Sequence, residues 1–535
     1  MKLPELSESA SPDFSDAATC KSWLENIPLA NVVAAQTQLL GQLQEFNRFP
    51  AAANSRLAVM EALREAVNFV QIEQAKRFTN RALPMTDAEL AAFRTTIALW
   101  DQMVLGYQRC MEGALNRDSG MRAQSALICQ RLLAYLGLRM YHHYRGYRQV
   151  PPGDWHALHE VYAAAEKLDV VDDGVKDFLN RDIHDTSPRI AYARALLMGM
   201  CNPNELAQRQ LTFIAYLLER WASKLEIVGK PVSEGEGIAP LVVDLEAGAC
   251  PERGDPAAAR EPRYLDTRKI AKSLRNRVAL LRNGESPAKL ALGEDCVQPS
   301  CEQLLVYLYR QWCQPKPPRS FERRTAQRPA EACSEIASLH YYISGRVFRP
   351  PSEQVELTQK QREELATFGR VSTREDDDYS NAQGFMLETW HIEDESAQGL
   401  RLMRRAKELG RRLAHGQLLG VRPTDGKHFM LGQVRWLMGA ENGDVHAGLR
   451  LLPGLPVPVA VRPTGLNVQP GSWIPALRLG AVAALEAPAS IVLPLGWYKP
   501  KRIIEMHDEA PAKLRLLEVI ERGVDFERLA YEAAA

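Results

Sequence analysis

The 535-residue sequence lacks an excess of charge of either sign: 66 Lys and Arg stand against 66 Asp and Glu. A general nucleic-acid coater would carry a large basic surplus, and an acidic disordered chain the opposite, so the balance argues against both. Long hydrophobic runs are also missing. The most apolar tract, residues 480–496, is broken by Glu486 and Pro488, far short of the ~20 apolar residues that span a membrane. The start, Met1 to Glu8, has no basic segment followed by an apolar run, so no secretory signal is expected. Cysteines are few: nine, an odd number, scattered along the chain. Cys296 and Cys301 form the one close pair in a polar setting, and their spacing is unlike a zinc knuckle. Reduced thiols in a cytoplasmic protein are the expectation.

What is present reads as a soluble multidomain α+β protein. Apolar residues make up 46% and charged residues 25%, enough for several cores over this length. Residues 1–225 carry helical periodicity. Leu57, Met60, Leu63, Val67 and Val70 form one stripe within 53–75. Thr86 is placed to cap the next helix, with Asp87 and Glu89 where the helix dipole favours acids. Further helices are expected over 121–147, 154–167 and 188–228, in a bundle or array without a fixed repeat. Residues 226–310 mix a strand-like 238–245, a Pro/Gly-rich loop and two helical stretches, and read as a connecting module. Beyond 311 the pattern turns to short alternating runs separated by turns such as Asn442-Gly443. Antiparallel β-barrels are expected there. A domain at 311–460 carries an inserted segment near 335–385, and 461–535 forms a β extension or a second small barrel.

One constellation stands out. Arg319-Ser-Phe-Glu-Arg323 precedes Asp394-Glu-Ser396-Ala-Gln-Gly399, which follows the strand-like run 387–393. Downstream lie Gly432-Gln-Val-Arg-Trp436 and Gly448-Leu-Arg-Leu-Leu452. Together these resemble the PilZ domain, whose signatures are RxxxR and (D/N)xSxxG, over residues 315–460. The resemblance implies a six-stranded barrel that binds cyclic di-GMP through Arg319, Arg323, Asp394, Ser396 and Gly399. The chemistry fits. A guanidinium donates two parallel bonds to a phosphate or to guanine O6/N7 and also stacks on a purine. A carboxylate accepts from guanine N–H groups, a hydroxyl donates or accepts, and glycine permits close backbone approach.

Two departures qualify the pattern. Arg323 and Asp394 are 71 positions apart, about twice the usual interval or more, so helices are expected in the interval at 335–344 and 359–368. Arg324 and Arg328 also satisfy the RxxxR spacing and are held in reserve. A third basic cluster, 401–412, has six Lys or Arg and one acid, Glu408. It reads either as a phosphate or partner contact, or as a solvated turn and helix face.

Other signals carry less. The run Gly420–His428 has P-loop-like glycines, with the wrong spacing and His in place of Ser/Thr. His142-His143 and His156-x-x-His159 lack further ligands nearby in sequence. No nucleophile elbow or zinc-protease motif occurs. The role the resemblance implies is a non-enzymatic cytoplasmic receptor for cyclic di-GMP. No cofactor or metal is expected, and the helical half would dock a protein partner in control of motility, attachment or biofilm formation. The competing expectation is a ligand-free interaction scaffold whose arginines face open solvent.

Overall fold

The computed structural model describes residues 3–116, 119–233, 239–316, 321–351, 359–368, 382–464, 473–508 and 510–534. The chain divides into two compact units, one formed by 1–81 with 85–318 and the other by 82–84 with 319–535. As expected, an N-terminal helical region is followed by antiparallel β-barrels.

The first unit contains α1 (Ala17–Leu24), α2 (Val32–Arg48), α3 (Ala53–Ala75), α4 (Asp87–Leu115), α5 (Ser119–Ala123), α6 (Ser125–Arg145) and α7 (Pro152–Lys167). After the small hairpin β1 (Val175–Lys176) and β2 (Asp185–Thr186) come α8 (Pro188–Met200) and α9 (Gln208–Trp221). A four-stranded antiparallel sheet follows, in the order β3 (Glu226–Val228), β6 (Pro262–Asp266), β4 (Leu241–Asp244), β5 (Glu252–Arg253). Helices α10 (Arg268–Arg282) and α11 (Ser300–Cys313) complete the unit. Thr86 caps α4 in a reciprocal box: its hydroxyl accepts from the Glu89 N–H, and the Glu89 carboxylate accepts from its own N–H at 2.8 Å.

Where a single helix was expected over 188–228, two form. Asn202 is left-handed at φ 49°, and Pro203 offers no N–H to continue the ladder. The expected helix at 121–147 likewise breaks at Gln124, between α5 and α6. The core packs Trp100, Trp155 and Trp221 with side chains from as far along as Trp312. Val243, Leu265, Leu274 and Leu305, from the stretch read as connecting, share that same core. Of the histidines singled out in the sequence, His142 and His159 are buried in the core, His143 is partly buried and His156 is exposed. His159 is fully buried, with Nδ1 2.6 Å from the Tyr192 hydroxyl and Nε2 3.1 Å from the Ala249 carbonyl. Burial pushes His142 down to about 3 and His143 to about 4. The expectation of reduced thiols is corrected at one place: Cys296 is joined by a disulfide to Cys301 in the first turn of α11, while the other seven cysteines remain thiols.

The second unit holds two closed six-stranded barrels. Strands β7 (Arg324–Ser334), β8 (Glu388–Ser396), β9 (Gly399–Arg404), β10 (Leu418–Pro423), β11 (Met430–Gly439) and β12 (Val445–Leu451) close in the order 10-11-12-9-8-7. Between β7 and β8 lie α12 (Ile336–Ser344) and α13 (Gln359–Phe368). Strands β13 (Pro456–Pro463), β14 (Ile474–Leu479), β15 (Ser490–Leu493), β16 (Ile503–His507), β17 (Pro511–Arg522) and β18 (Glu527–Ala533) close in the order 13-14-15-18-17-16. The C-terminal segment is thus a second barrel. Leu339 of α12 packs in one apolar cluster with Leu418 and Leu431 of the first barrel and Leu477 and Val492 of the second. Gly420 admits it, since a β-carbon there would lie 2.1 Å from the Leu339 side chain. The long interval between the two sequence signatures thus supplies a wedge between the barrels.

Candidate ligand-binding site

The site begins with a tight turn. β8 ends at Ser396 and β9 begins at its cross-strand partner Gly399, leaving Ala397 and Gln398 as the loop. The Ser396 hydroxyl donates to the Gly399 carbonyl at 3.3 Å, and the Leu451 N–H donates to the Gln398 carbonyl at 2.9 Å. A β-carbon on Gly399 would lie 2.8 Å from the Leu449 carbonyl, so close backbone approach demands glycine here.

Strand β7 brings the arginines to this turn. Its register sets Arg324 opposite Glu395 and Thr325 opposite Asp394, then slips so that Arg328 faces Ile392. Gln327 absorbs the bulge at φ 44°. Arg323, just before the strand, forms an ion pair with Asp394. Its Nη2 lies 3.9 Å from where a Gly399 β-carbon would sit, and Ser396 Oγ lies at the same distance. Arg323, Asp394, Ser396 and Gly399 therefore gather at one point, although 71 residues separate the first two. Arg328 is directed elsewhere. It pairs with Glu395 at 2.5 Å and Asp425 at 2.8 Å, and the Glu395 hydrogen bond raises its already high pKa. Arg324 lines a cavity of about 360 Å3 with Phe321, Glu322, Glu395, Ser396 and Ala397. Arg319 lies outside the described residues.

The register brings residues of the downstream motifs and of the third basic cluster into line with the turn. Asp394 pairs with Arg401, Arg401 with Gly448, and Gly448 with Trp436. Their strand neighbours Ile392, Leu402, Ala447 and Leu437 are fully buried, so the row lies on the outer face. The Arg401 guanidinium sits 5.9 Å from the Trp436 ring centre. Gly448 makes room for the indole, because a β-carbon there would fall 1.7 Å from its nitrogen. Arg401 also pairs with Glu393 at 2.6 Å, and His446 lies 3.3 Å from the same carboxylate. The outer face thus offers, side by side, a guanidinium, a carboxylate, a second guanidinium and an aromatic plane.

Of the remainder of the basic cluster, Arg405 and Lys407 are exposed around a turn after β9, as the solvated-face reading expects, but no helix forms, and the other three arginines are held by the fold. Arg404 ends β9 buried against Glu388 at 2.6 Å and over the Trp390 ring. Arg411 pairs with Glu335 and donates to the Gly384 carbonyl at 2.7 Å. Arg412 donates to the Ala82 carbonyl, next to Leu83, which exchanges backbone hydrogen bonds with Leu413. Among the described residues no group of three His, Cys, Asp or Glu is placed to hold a metal ion, and no helix is long and apolar enough to cross a membrane.

Known proteins resemble the chain at both ends of this architecture. Residues 18–231 match the family described as "Cyclic-di-GMP receptor FimW, N-terminal domain", and residues 459–534 match "FimW C-terminal beta-barrel domain". The two matches cover most of the helical region and nearly all of the second barrel, and flank the first. The Cyclic-di-GMP receptor FimW of Pseudomonas aeruginosa is 24% identical, over 93% of this chain and 87% of that protein.

Proposed function

We propose that this chain is a cytoplasmic cyclic di-GMP receptor whose first barrel is a PilZ-like ligand-binding domain. In this reading Arg319, Arg323, Asp394, Ser396 and Gly399 hold the ligand, and the bound state is relayed to a protein partner through the helical unit, in control of motility, attachment or biofilm formation. The observation that carries the reading is the meeting of Arg323 with Asp394, Ser396 and Gly399 across the 71-residue interval. Similarity to a cyclic di-GMP receptor over nearly the whole chain supports it independently. The ligand-free scaffold expects arginines turned away from the Asp394 turn, and Arg323 instead pairs with Asp394.

Each group has a distinct task. Arg323 is already charged and positioned, and on binding exchanges its carboxylate partner for a phosphate or a guanine edge. Asp394, released from Arg323, accepts from guanine N1–H and N2–H. Arg401 and Trp436 continue the platform, with a π-face and a second cation for a base or phosphate further along the row. Arg323 is preferred to Arg328 because Arg328 already has two carboxylate partners.

Titration calorimetry of the full chain with cyclic di-GMP tests the proposal. Arg323→Ala removes a charged hydrogen bond worth roughly 1.5–3 kcal/mol and should weaken binding by about 10- to 150-fold. Absence of binding heat at high micromolar ligand would overturn the reading.

A further inference from the structure

We infer that the groove between the two barrels is a docking site for a protein segment that presents a carboxylate beside an apolar side chain. The groove encloses about 460 Å3. One wall is the Ala397–Gln398 turn with Arg450, and the other carries Ile520, Glu521 and Arg528 of the second barrel, with Leu455 at the junction. Its charge is unbalanced. Arg528 is 5% exposed, and its Nε donates to the Ser490 hydroxyl at 2.9 Å. Its nearest carboxylate, Glu521, stands 3.9 Å away, and among the described residues its terminal nitrogens have no hydrogen-bond acceptor. Glu521 is instead hydrogen-bonded to Arg450 of the first barrel. Two guanidinium groups therefore share one carboxylate along this groove. A buried cation without a close partner is costly, and a second carboxylate would remove that cost.

The mouth indicates what carries this carboxylate. Leu455 is 54% and Ile520 36% exposed beside the arginines. A free phosphate or acetate gains nothing from such a rim, whereas a peptide segment covers it with an aliphatic or aromatic side chain. The groove also touches the proposed ligand turn. Gly399 is the cross-strand partner of Arg450, and the Gln398 carbonyl accepts from the Leu451 N–H. Resting on the reading above, occupancy of the groove and cyclic di-GMP binding should be thermodynamically linked, each changing the affinity of the other by the same factor.

The test selects short random peptides displayed on phage against the immobilised full chain, then measures synthetic peptides by fluorescence anisotropy with and without cyclic di-GMP. Selected peptides are expected to carry Asp or Glu beside an apolar residue. Changing that acid to its amide should weaken binding about tenfold or more. Leu455→Asp and Ile520→Asp, at exposed positions that do not threaten folding, should abolish it, as should Arg528→Gln where that chain folds. Failure to select any peptide, peptides indifferent to loss of the acid, or equal binding by the Leu455→Asp and Ile520→Asp chains would overturn the site. So would stabilisation by inorganic phosphate or acetate alone without peptide binding. Peptide binding that ignores cyclic di-GMP would keep the site and overturn the linkage. Cyclic di-GMP binding without any peptide binding would sink the groove and leave the receptor reading standing.

Discussion

The two barrels have the same strand count, the same closure and an arginine set over a tryptophan, yet their outer faces differ. In the second, Arg462 lies 4.6 Å from the Trp473 ring centre and pairs with Glu505 at 2.7 Å, its direct cross-strand neighbour. Arg515 pairs with its neighbour Glu532, and Arg478 with Asp508. These are partly exposed surface pairs of the ordinary kind, each worth about 0–1 kcal/mol. In the first barrel the Arg401 and Trp436 pair belongs to a row that begins at a glycine-dependent turn. An arginine from outside the strand joins that row at Asp394. A cation on a tryptophan occurs in both barrels and so does not by itself mark the proposed ligand site. What separates the barrels is convergence of several groups at a tight turn.

This contrast can be broken in stages. The largest effect is expected inside the first barrel. Glu388 is 5% exposed and accepts from Arg404, the Trp390 indole and the Arg411 N–H. Glu388→Ala strands a buried guanidinium and should cost about 3–5 kcal/mol in denaturant unfolding followed by tryptophan fluorescence. A comparable loss is absent for Glu532→Ala in the second barrel, where the carboxylate is half exposed.

Next comes acid. His142 and His143 in the helical unit titrate at about 3 and about 4, below the ordinary 6.5, because burial disfavours the charged ring. The unfolded chain therefore binds protons first. The stability these histidines contribute is fully present above about pH 6.5 and is lost as pH falls toward their folded values, at about 1.4 kcal/mol per pH unit for each. The stability of the helical unit should fall by roughly 2 kcal/mol per histidine between about pH 6.5 and 5, and His143→Gln should flatten the slope. Denaturation followed across that range checks the sign; a stability that rose toward acid would refute the burial argument.

A smaller effect is expected at Gly448. Gly448→Val pushes the Trp436 indole aside, at a cost of about 1–3 kcal/mol from overpacking, and should lower cyclic di-GMP affinity about tenfold by separating it from Arg401. The smallest is the control. Arg462→Ala removes the corresponding contact in the second barrel and should leave ligand affinity unchanged within about 0.5 kcal/mol by calorimetry. A clear loss there would place ligand on the wrong barrel.

Much of this was legible in the residues. The stripe through Leu57, Met60 and Leu63 and the box at Thr86 and Glu89 are local signals, and α3 and α4 form where those signals lie. The turn at Asp394–Gly399 is equally local: the hydroxyl and the glycine act within a few residues of one another. The break after α8 was harder to read, because apolar periodicity continues through Asn202 and Pro203 and masks the loss of one N–H. The cluster at 401–412 was legible only in part, for a different reason. Spacing along the chain says nothing about which carboxylate faces each arginine, and Arg401, Arg404 and Arg411 meet three different partners from 335, 388 and 393.

By itself, then, the sequence determined the classes of element, the turn chemistry and the kind of ligand such groups suit, because propensity, capping and side-chain chemistry act over a few residues. Only the tertiary structure decided that Arg323 rather than Arg328 meets Asp394, that Arg401 and Trp436 extend the same row, and that α12 and Arg450 join one barrel to the next. Those outcomes depend on strand register and barrel closure, in which a one-residue slip turns every side chain to the other face.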